Sequence, residues 1–256
     1  MTPFDAGILG IVEGITEFLP VSSTGHLILA SSLLGLSSTD FVKTFEIAIQ
    51  LGAILAVVAL YFTSFFRIEV LKRLIVAFLP TAVIGLALYK VVKTYLLGNE
   101  TVVLWALILG GIALIVFELL HTSRDDSTAD ISTMSYKQAL GIGLFQSIAI
   151  IPGVSRSAAT IVGGLLLGMS RATIVEFSFL LAVPTMAAAT SLDLVKSYRE
   201  FSSADLLPLA IGFVTSFVVA LLVIKLFLSY VRKHTFIPFG VYRILVSVAF
   251  LFFVLY

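Results

Sequence analysis

The chain contains no cysteine. That absence excludes disulfides, thiolate metal sites and a cysteine nucleophile, and it leaves the redox compartment unreadable. Charge is scarce as well: 12% of the 256 residues are charged, against roughly 25% in soluble domains, so a water-soluble surface cannot be built from this composition. A net charge of +1 without a long basic run gives no footprint for nucleic acid. Residues 1–35 lack a basic leader and a small-residue cleavage signal and carry Asp5, so they are expected to belong to the mature fold. No polar stretch is long enough to form a separate soluble domain. What is abundant is apolar: 59% of residues are hydrophobic, in runs that recur from end to end. The composition therefore predicts one all-α integral membrane domain.

A helix rises about 1.5 Å per residue and the hydrocarbon core is about 30 Å thick, so a crossing needs roughly 20 apolar residues. Six segments meet that length, near residues 43–62, 74–91, 102–120, 172–195, 206–230 and 238–256. Two further apolar regions are interrupted, one at Leu19-Pro20-Val21-Ser22-Ser23-Thr24 and one at Ile151-Pro152-Gly153-Val154-Ser155-Arg156-Ser157. Proline lacks an N–H and disfavours helix before it, while Ser and Thr cap helix starts, so each break ends one short helix and starts another. Each region reads as a re-entrant helical hairpin, tolerated at membrane depth where protein buries it or it lines a wet cavity.

The breaks belong to an internal repeat. A shift of 133 residues places Gly10 on Gly143, Glu13 on Gln146, Ser22 on Ser155 and Leu33-Leu34-Gly35 on Leu166-Leu167-Gly168; a shift of 132 places Phe45 on Phe177. Residues 1–121 and 131–256 form the two halves, with 122–130 as a polar linker. A hairpin plus three crossings is an odd number of passes, so the second half is expected to be inverted, with the broken helices meeting near the midplane. The face with Arg67, Lys72, Arg73, Arg124, Lys137, Arg171, Arg232 and Lys233 outweighs the face with Lys43, Lys90, Lys93, Lys196 and Arg199. The first face is therefore expected to be cytoplasmic, with both termini outside.

Glu13 and Glu17 lie four apart and share a helix face with Gly7, Gly10 and Gly14, which puts both carboxylates on a close-packing side. Ionisable groups within the membrane are costly unless paired or wetted, so two on one face point to a functional cavity, the alternative being interhelical glue. Beyond the break come Ser22, Ser23 and Thr24, with His26 three residues after Ser23. That spacing sets an imidazole on the face of a hydroxyl, the minimum for an activated nucleophile, and the new helix start offers N–H groups to an anion. Arg156 is the one basic residue deep in either break. Its fork suits bidentate phosphate binding, with Ser155, Ser157 and Thr160 as flanking donors; the plainer alternative is an ion pair with Glu13 or Glu17. Glu46 and Glu176 fall near the starts of corresponding spans, Glu118 and His121 read as interfacial, and Lys225 and Arg243 as snorkelling side chains.

Two runs, Glu13-Gly14-Ile15-Thr16-Glu17-Phe18-Leu19-Pro20-Val21-Ser22-Ser23-Thr24-Gly25-His26 and Pro152-Gly153-Val154-Ser155-Arg156-Ser157-Ala158-Ala159-Thr160, resemble the two signature motifs of the bacitracin-resistance type undecaprenyl-pyrophosphate phosphatases. Lys43-Thr44-Phe45-Glu46, the stretch Glu176 to Pro184 and Phe236-Ile237-Pro238-Phe239 are similar to that family too, so the likeness covers nearly the whole chain. The resemblance implies a multi-pass enzyme of the bacterial plasma membrane that converts the C55 polyprenyl pyrophosphate to the monophosphate and so recycles the cell-wall lipid carrier. It implies a divalent cation, Mg²⁺ or Ca²⁺, with Glu13 and Glu17 as the metal carboxylates. It carries the family's motifs onto Glu13 and Glu17, onto Ser22, Ser23 and His26, and onto Ser155, Arg156 and Thr160; with Thr24 and Ser157 added as neighbouring donors, Glu17, Ser23, His26 and Arg156 are expected to be catalytic and Ser22, Thr24, Ser155, Ser157 and Thr160 to bind substrate. Oligomeric state is unreadable, with a homodimer left open.

The chief rival is a polyprenyl-phosphate transporter, because inverted repeats and broken helices are also a transporter plan. Carriage needs an anion cradle but no nucleophile or base. A regulatory scaffold leaves the buried ionisable groups unexplained.

Overall fold

A computed structural model describes residues 1–36, 39–96, 99–121, 130–197 and 205–255. Among these are ten α-helices and no strand. Four are short: α1 (Pro3–Thr16), α2 (Ser23–Leu33), α6 (Tyr136–Ser147) and α7 (Arg156–Leu166). The longest has 14 residues, which at about 1.5 Å per residue falls well short of a crossing. The others are α3 (Asp40–Leu60), α4 (Ile68–Val91), α5 (Glu100–Leu120), α8 (Arg171–Ser197), α9 (Leu206–Val231) and α10 (Ile237–Leu255). The first five of these are long and apolar enough to cross a membrane, and α10 contributes the shorter apolar stretch Ile237–Phe252. Those five coincide with segments expected to cross, while α10 overlaps the sixth with an apolar stretch shorter than a crossing among the described residues. Of the linker expected at 122–130 only Asp130 is among the described residues, and Arg124 and Arg199 of the loop-charge count lie outside them.

The surface is inverted relative to a soluble protein. Leu79, Leu86, Trp105, Leu109, Leu222 and Leu226 on the long helices are exposed, while Glu13, Glu17, Arg73 and Arg243 are buried. Contacts between elements come in exchanged pairs: α1 packs on α9 as α6 packs on α4, α3 packs on α9 as α8 packs on α4, and α3 packs on α8 and α5 on α10. The two breaks repeat this correspondence at the backbone, with Ser22 at φ 73° and Ser155 at φ 76°. Each Ser caps the helix it precedes, Ser22 Oγ accepting from the Gly25 N–H and Ser155 Oγ from the Ala158 N–H. A left-handed φ is uncommon outside glycine, and two such serines at matched positions mark a backbone set by its surroundings.

The site is positioned by close approach. α1 lies so near α9 that a Cβ at Gly10 would sit 2.6 Å from the Gly212 carbonyl oxygen. Gly153, in the second break, combines φ 93° with a Val103 carbonyl that would be 2.7 Å from its Cβ, so the break rests directly on α5. Between the breaks, Ser157 Oγ donates to the Phe18 carbonyl at 2.8 Å, and the Phe18 ring meets that of Phe179 edge-on at 5.2 Å.

Candidate active site

Glu13 is wholly buried on α1, and Glu17 ends that helix with its backbone N–H on the Glu13 carbonyl. The α1–α9 packing therefore delivers two carboxylates to the edge of the first break. Ser23 opens α2 across that break, and Arg156 opens α7 across the second. These four residues converge. Ser23 Oγ donates to Glu17 Oε2 at 2.5 Å, a short hydrogen bond of the charge-assisted kind. Arg156 Nη2 donates to Glu17 Oε1 at 3.1 Å, and Nη1 to the Ser178 carbonyl at 2.8 Å. Arg156 Nε is buried without a partner, as are both oxygens of Glu13.

The arrangement can move a proton and hold an anion. Glu17 is an acceptor for the Ser23 proton, and Arg156 is a donor fork with one position unfilled. In the first turns of α2 and α7 the Gly25 and Ala158 N–H groups are taken by the serine caps, and the N–H groups before them are the ones a helix start offers to an anion.

His26 is near Ser23 in sequence but is not directed at it. Its Nδ1 lies 2.8 Å from the Ser22 carbonyl and its Nε2 lies 2.9 Å from the Tyr242 hydroxyl. Both ring nitrogens are thus engaged away from the Ser23 hydroxyl, and Glu17 stands where sequence spacing set the imidazole. Ser22 and Ser155 act as caps, and Thr24 is half-buried in the first turn of α2. Ser157 ties the breaks together. Thr160 is fully buried and bonds to the Arg156 and Ser157 carbonyls and the Ser178 hydroxyl, which supports the backbone behind Arg156.

Three polar residues have fuller roles than the sequence reading gave them. Arg243 does not snorkel: it is completely buried, and its guanidinium donates to five carbonyls, those of Ala106 and Leu107 on α5, Pro20 in the first break, and Gly153 and Val154 in the second. Glu118, near the end of α5, is buried in protein and pairs through both oxygens with Arg171, at 2.7 and 3.1 Å. Tyr242, passed over in the sequence, reaches His26. Gln146, the residue that the sequence alignment of the chain on itself sets against Glu13, donates through its amide to Thr81 and Thr185 in a neutral network.

Among the described residues no group of three or more His, Asp or Glu side chains forms a metal cluster. The donors at hand are Glu13 and Glu17. Both Glu13 oxygens are buried without a hydrogen-bond donor, and the carboxyl group lies next to that of Glu17. Such a carboxylate pair suits a hard cation that takes one or two protein carboxylates and completes its shell with water and phosphate oxygens, as Mg²⁺ does. Because Glu17 already serves Ser23 and Arg156, Glu13 is the freer ligand.

The chain is similar to known proteins over nearly its whole length. The family model described as bacitracin resistance protein BacA matches residues 6–249. A protein of Aquifex aeolicus (strain VF5) named undecaprenyl-diphosphatase is 53% identical over 257 residues, covering 100% of both chains. Proteins of the same name from Persephonella marina (55% identical, 97% of each chain) and Wolinella succinogenes (52% identical, 99% of this chain and 98% of the other) are similarly alike.

Proposed function

The chain belongs to the bacitracin resistance protein BacA family, and from that membership and the site we infer that it is an undecaprenyl-diphosphatase. It is a multi-pass membrane enzyme acting on a polyprenyl pyrophosphate lipid. The observation that carries the reading is the line Ser23–Glu17–Arg156, in which a hydroxyl, its proton acceptor and a phosphate-binding fork are drawn from both breaks. A lipid transporter needs the fork but neither of the other two.

In the reaction, Arg156 and the helix-start N–H groups bind the pyrophosphate. Ser23 Oγ attacks the terminal phosphorus and its proton passes to Glu17. The bond from that phosphorus to the bridging oxygen breaks, and undecaprenyl monophosphate leaves. Glu17 gives that proton up to the departing monophosphate and, ionised again, takes one from the water that attacks the phosphoserine; as the P–O bond to Ser23 breaks, Glu17 returns the proton to Ser23 Oγ and inorganic phosphate is released. Positioning and neutralisation of spreading charge supply most of the catalysis in such transfers. A divalent cation, Mg²⁺ or Ca²⁺, would be held by Glu13 and Glu17 and would neutralise charge on the phosphate oxygens. His26 and Thr160 act by holding the backbone on either side.

The exchanged helix pairings and the matched serines support an inverted repeat with two re-entrant hairpins, one entering from each face. On this reading the product is the lipid phosphate carrier for cell-wall polymers, and the enzyme works in the bacterial plasma membrane. Purified protein in detergent, where vectorial transport has no meaning, should release phosphate from undecaprenyl pyrophosphate. Release by wild type that is lost in Glu17→Ala and Arg156→Ala supports hydrolysis; no release under any cation condition favours the transporter.

A further inference from the structure

The hydrogen bonds of His26 fix its tautomer. Nδ1 faces the Ser22 carbonyl at 2.8 Å, and a carbonyl accepts but cannot donate, so Nδ1 carries the proton. Nε2 therefore presents a lone pair in the neutral ring, and the Tyr242 hydroxyl, 2.9 Å away, donates to it. The two rings also lie nearly parallel, 9° apart with centroids at 5.4 Å. Tyr242 is on α10, next to the Arg243 that grips both breaks, and is 43% exposed.

The Ser22 carbonyl receives two bonds from one residue: the His26 backbone N–H at 3.2 Å and the His26 ring at 2.8 Å. Ser22 has the left-handed φ of 73° and immediately precedes Ser23. Its conformation decides where the Ser23 hydroxyl points, and a strained residue keeps such a conformation only when its neighbours over-determine it.

We propose that Tyr242 is a positioning residue for the phosphatase reaction: it orients His26, which holds the Ser22 carbonyl, and so keeps the Ser23 hydroxyl on Glu17. The proposal rests on the reading of Ser23 as the nucleophile. Tyr242 touches neither the reacting atoms nor Ser23.

The test is Tyr242→Phe, which keeps the ring and removes the donor, assayed with undecaprenyl pyrophosphate in detergent. The kcat should fall about tenfold, the worth of one well-placed hydrogen bond, with KM little changed because the phosphate contacts remain. In the His26→Ala background Tyr242→Phe should have no further effect, since Tyr242 acts through the imidazole. Histidine ¹⁵N spectra should show the Nε2 resonance moving in Tyr242→Phe while Nδ1 stays protonated. An unchanged kcat in Tyr242→Phe, or equal losses with and without His26, overturns the proposal. An inactive wild type overturns the functional reading instead, and a thermal midpoint equal to wild type separates positioning from misfolding.

Discussion

Arg156 Nη2 lies 3.1 Å from Glu17 Oε1, so the residue that opens α7 is joined by a buried ion pair to the residue that ends α1. The pair locks the two breaks at one distance and sets a phosphate-binding group against a proton acceptor. On the proposed reading, a pyrophosphate entering here would compete with Glu17 for the guanidinium and so leave the carboxylate for Ser23.

Arg156→Lys tests whether the fork matters or only the charge. Nη1 holds the Ser178 carbonyl, Nη2 holds Glu17, and Nε is an unfilled donor. An ammonium cannot serve three directions from one stem. Phosphate release should fall by about 10²- to 10³-fold, the usual cost of losing a donor aimed at developing charge. Near-normal turnover would remove Arg156 from the site.

The base is tested by comparing Glu17→Gln with His26→Gln. Glu17 touches the Ser23 hydroxyl and His26 does not. Glu17→Gln should lose about 10²- to 10⁴-fold in kcat, the range of a general base, whereas His26→Gln should lose about tenfold, the worth of one hydrogen bond. Rapid quenching should trap a phosphoenzyme in wild type and none in Ser23→Ala. If His26→Gln were the more damaged variant, the base would have to be reassigned to the imidazole.

Much of this was legible in the sequence, for reasons that differ by residue. The six long segments could be placed because the bilayer fixes the length of an apolar helix, and the breaks because Pro20, Pro152, Ser22 and Ser155 have local conformational preferences. Glu13, Glu17, Ser23 and Arg156 stood out because charge and hydroxyls are rare in such surroundings. The role of His26 was not legible: spacing along a helix set it beside Ser23, while the ring bonds back to its own helix start and across to α10. Arg243 was missed because its partners at positions 20, 106, 107, 153 and 154 share no periodicity with it, and an arginine in an apolar run reads as one that reaches the interface. Glu118 and Arg171 lie 53 residues apart, so no local pattern could pair them.

Cation binding should depend on Glu13 more than on any other side chain, because its two oxygens are the unpartnered acceptors of the site. Glu13→Gln keeps the shape and removes the charge. The cation concentration for half-maximal activity should rise about 10- to 100-fold, the scale on which losing a supporting group weakens a metal site, and Mn²⁺ bound to the detergent-solubilised protein, read by electron paramagnetic resonance, should fall in parallel. Unchanged binding would place the cation elsewhere.

The strongest structural prediction concerns Arg243. Its five carbonyl partners come from α5 and from both breaks, and among the described groups it has no acidic partner. The guanidinium is therefore a clamp made of donors, and the compensation for its buried charge is spread over five backbone dipoles. A lysine has three donors on a single atom and cannot reach all three segments. At least two carbonyls would be left buried and unpaired, each costing about 1–3 kcal/mol. Arg243→Lys should therefore lower the unfolding midpoint in detergent by several degrees and reduce phosphate release, because the breaks lose their common anchor. Arg243→Met should be worse. Gly110→Ala should act from the other side, since a Cβ there would occupy the place of Arg243 Nη2. A side chain that merely reached the membrane interface would tolerate lysine, so an unchanged midpoint and turnover in Arg243→Lys would show that the clamp is not what holds the breaks together.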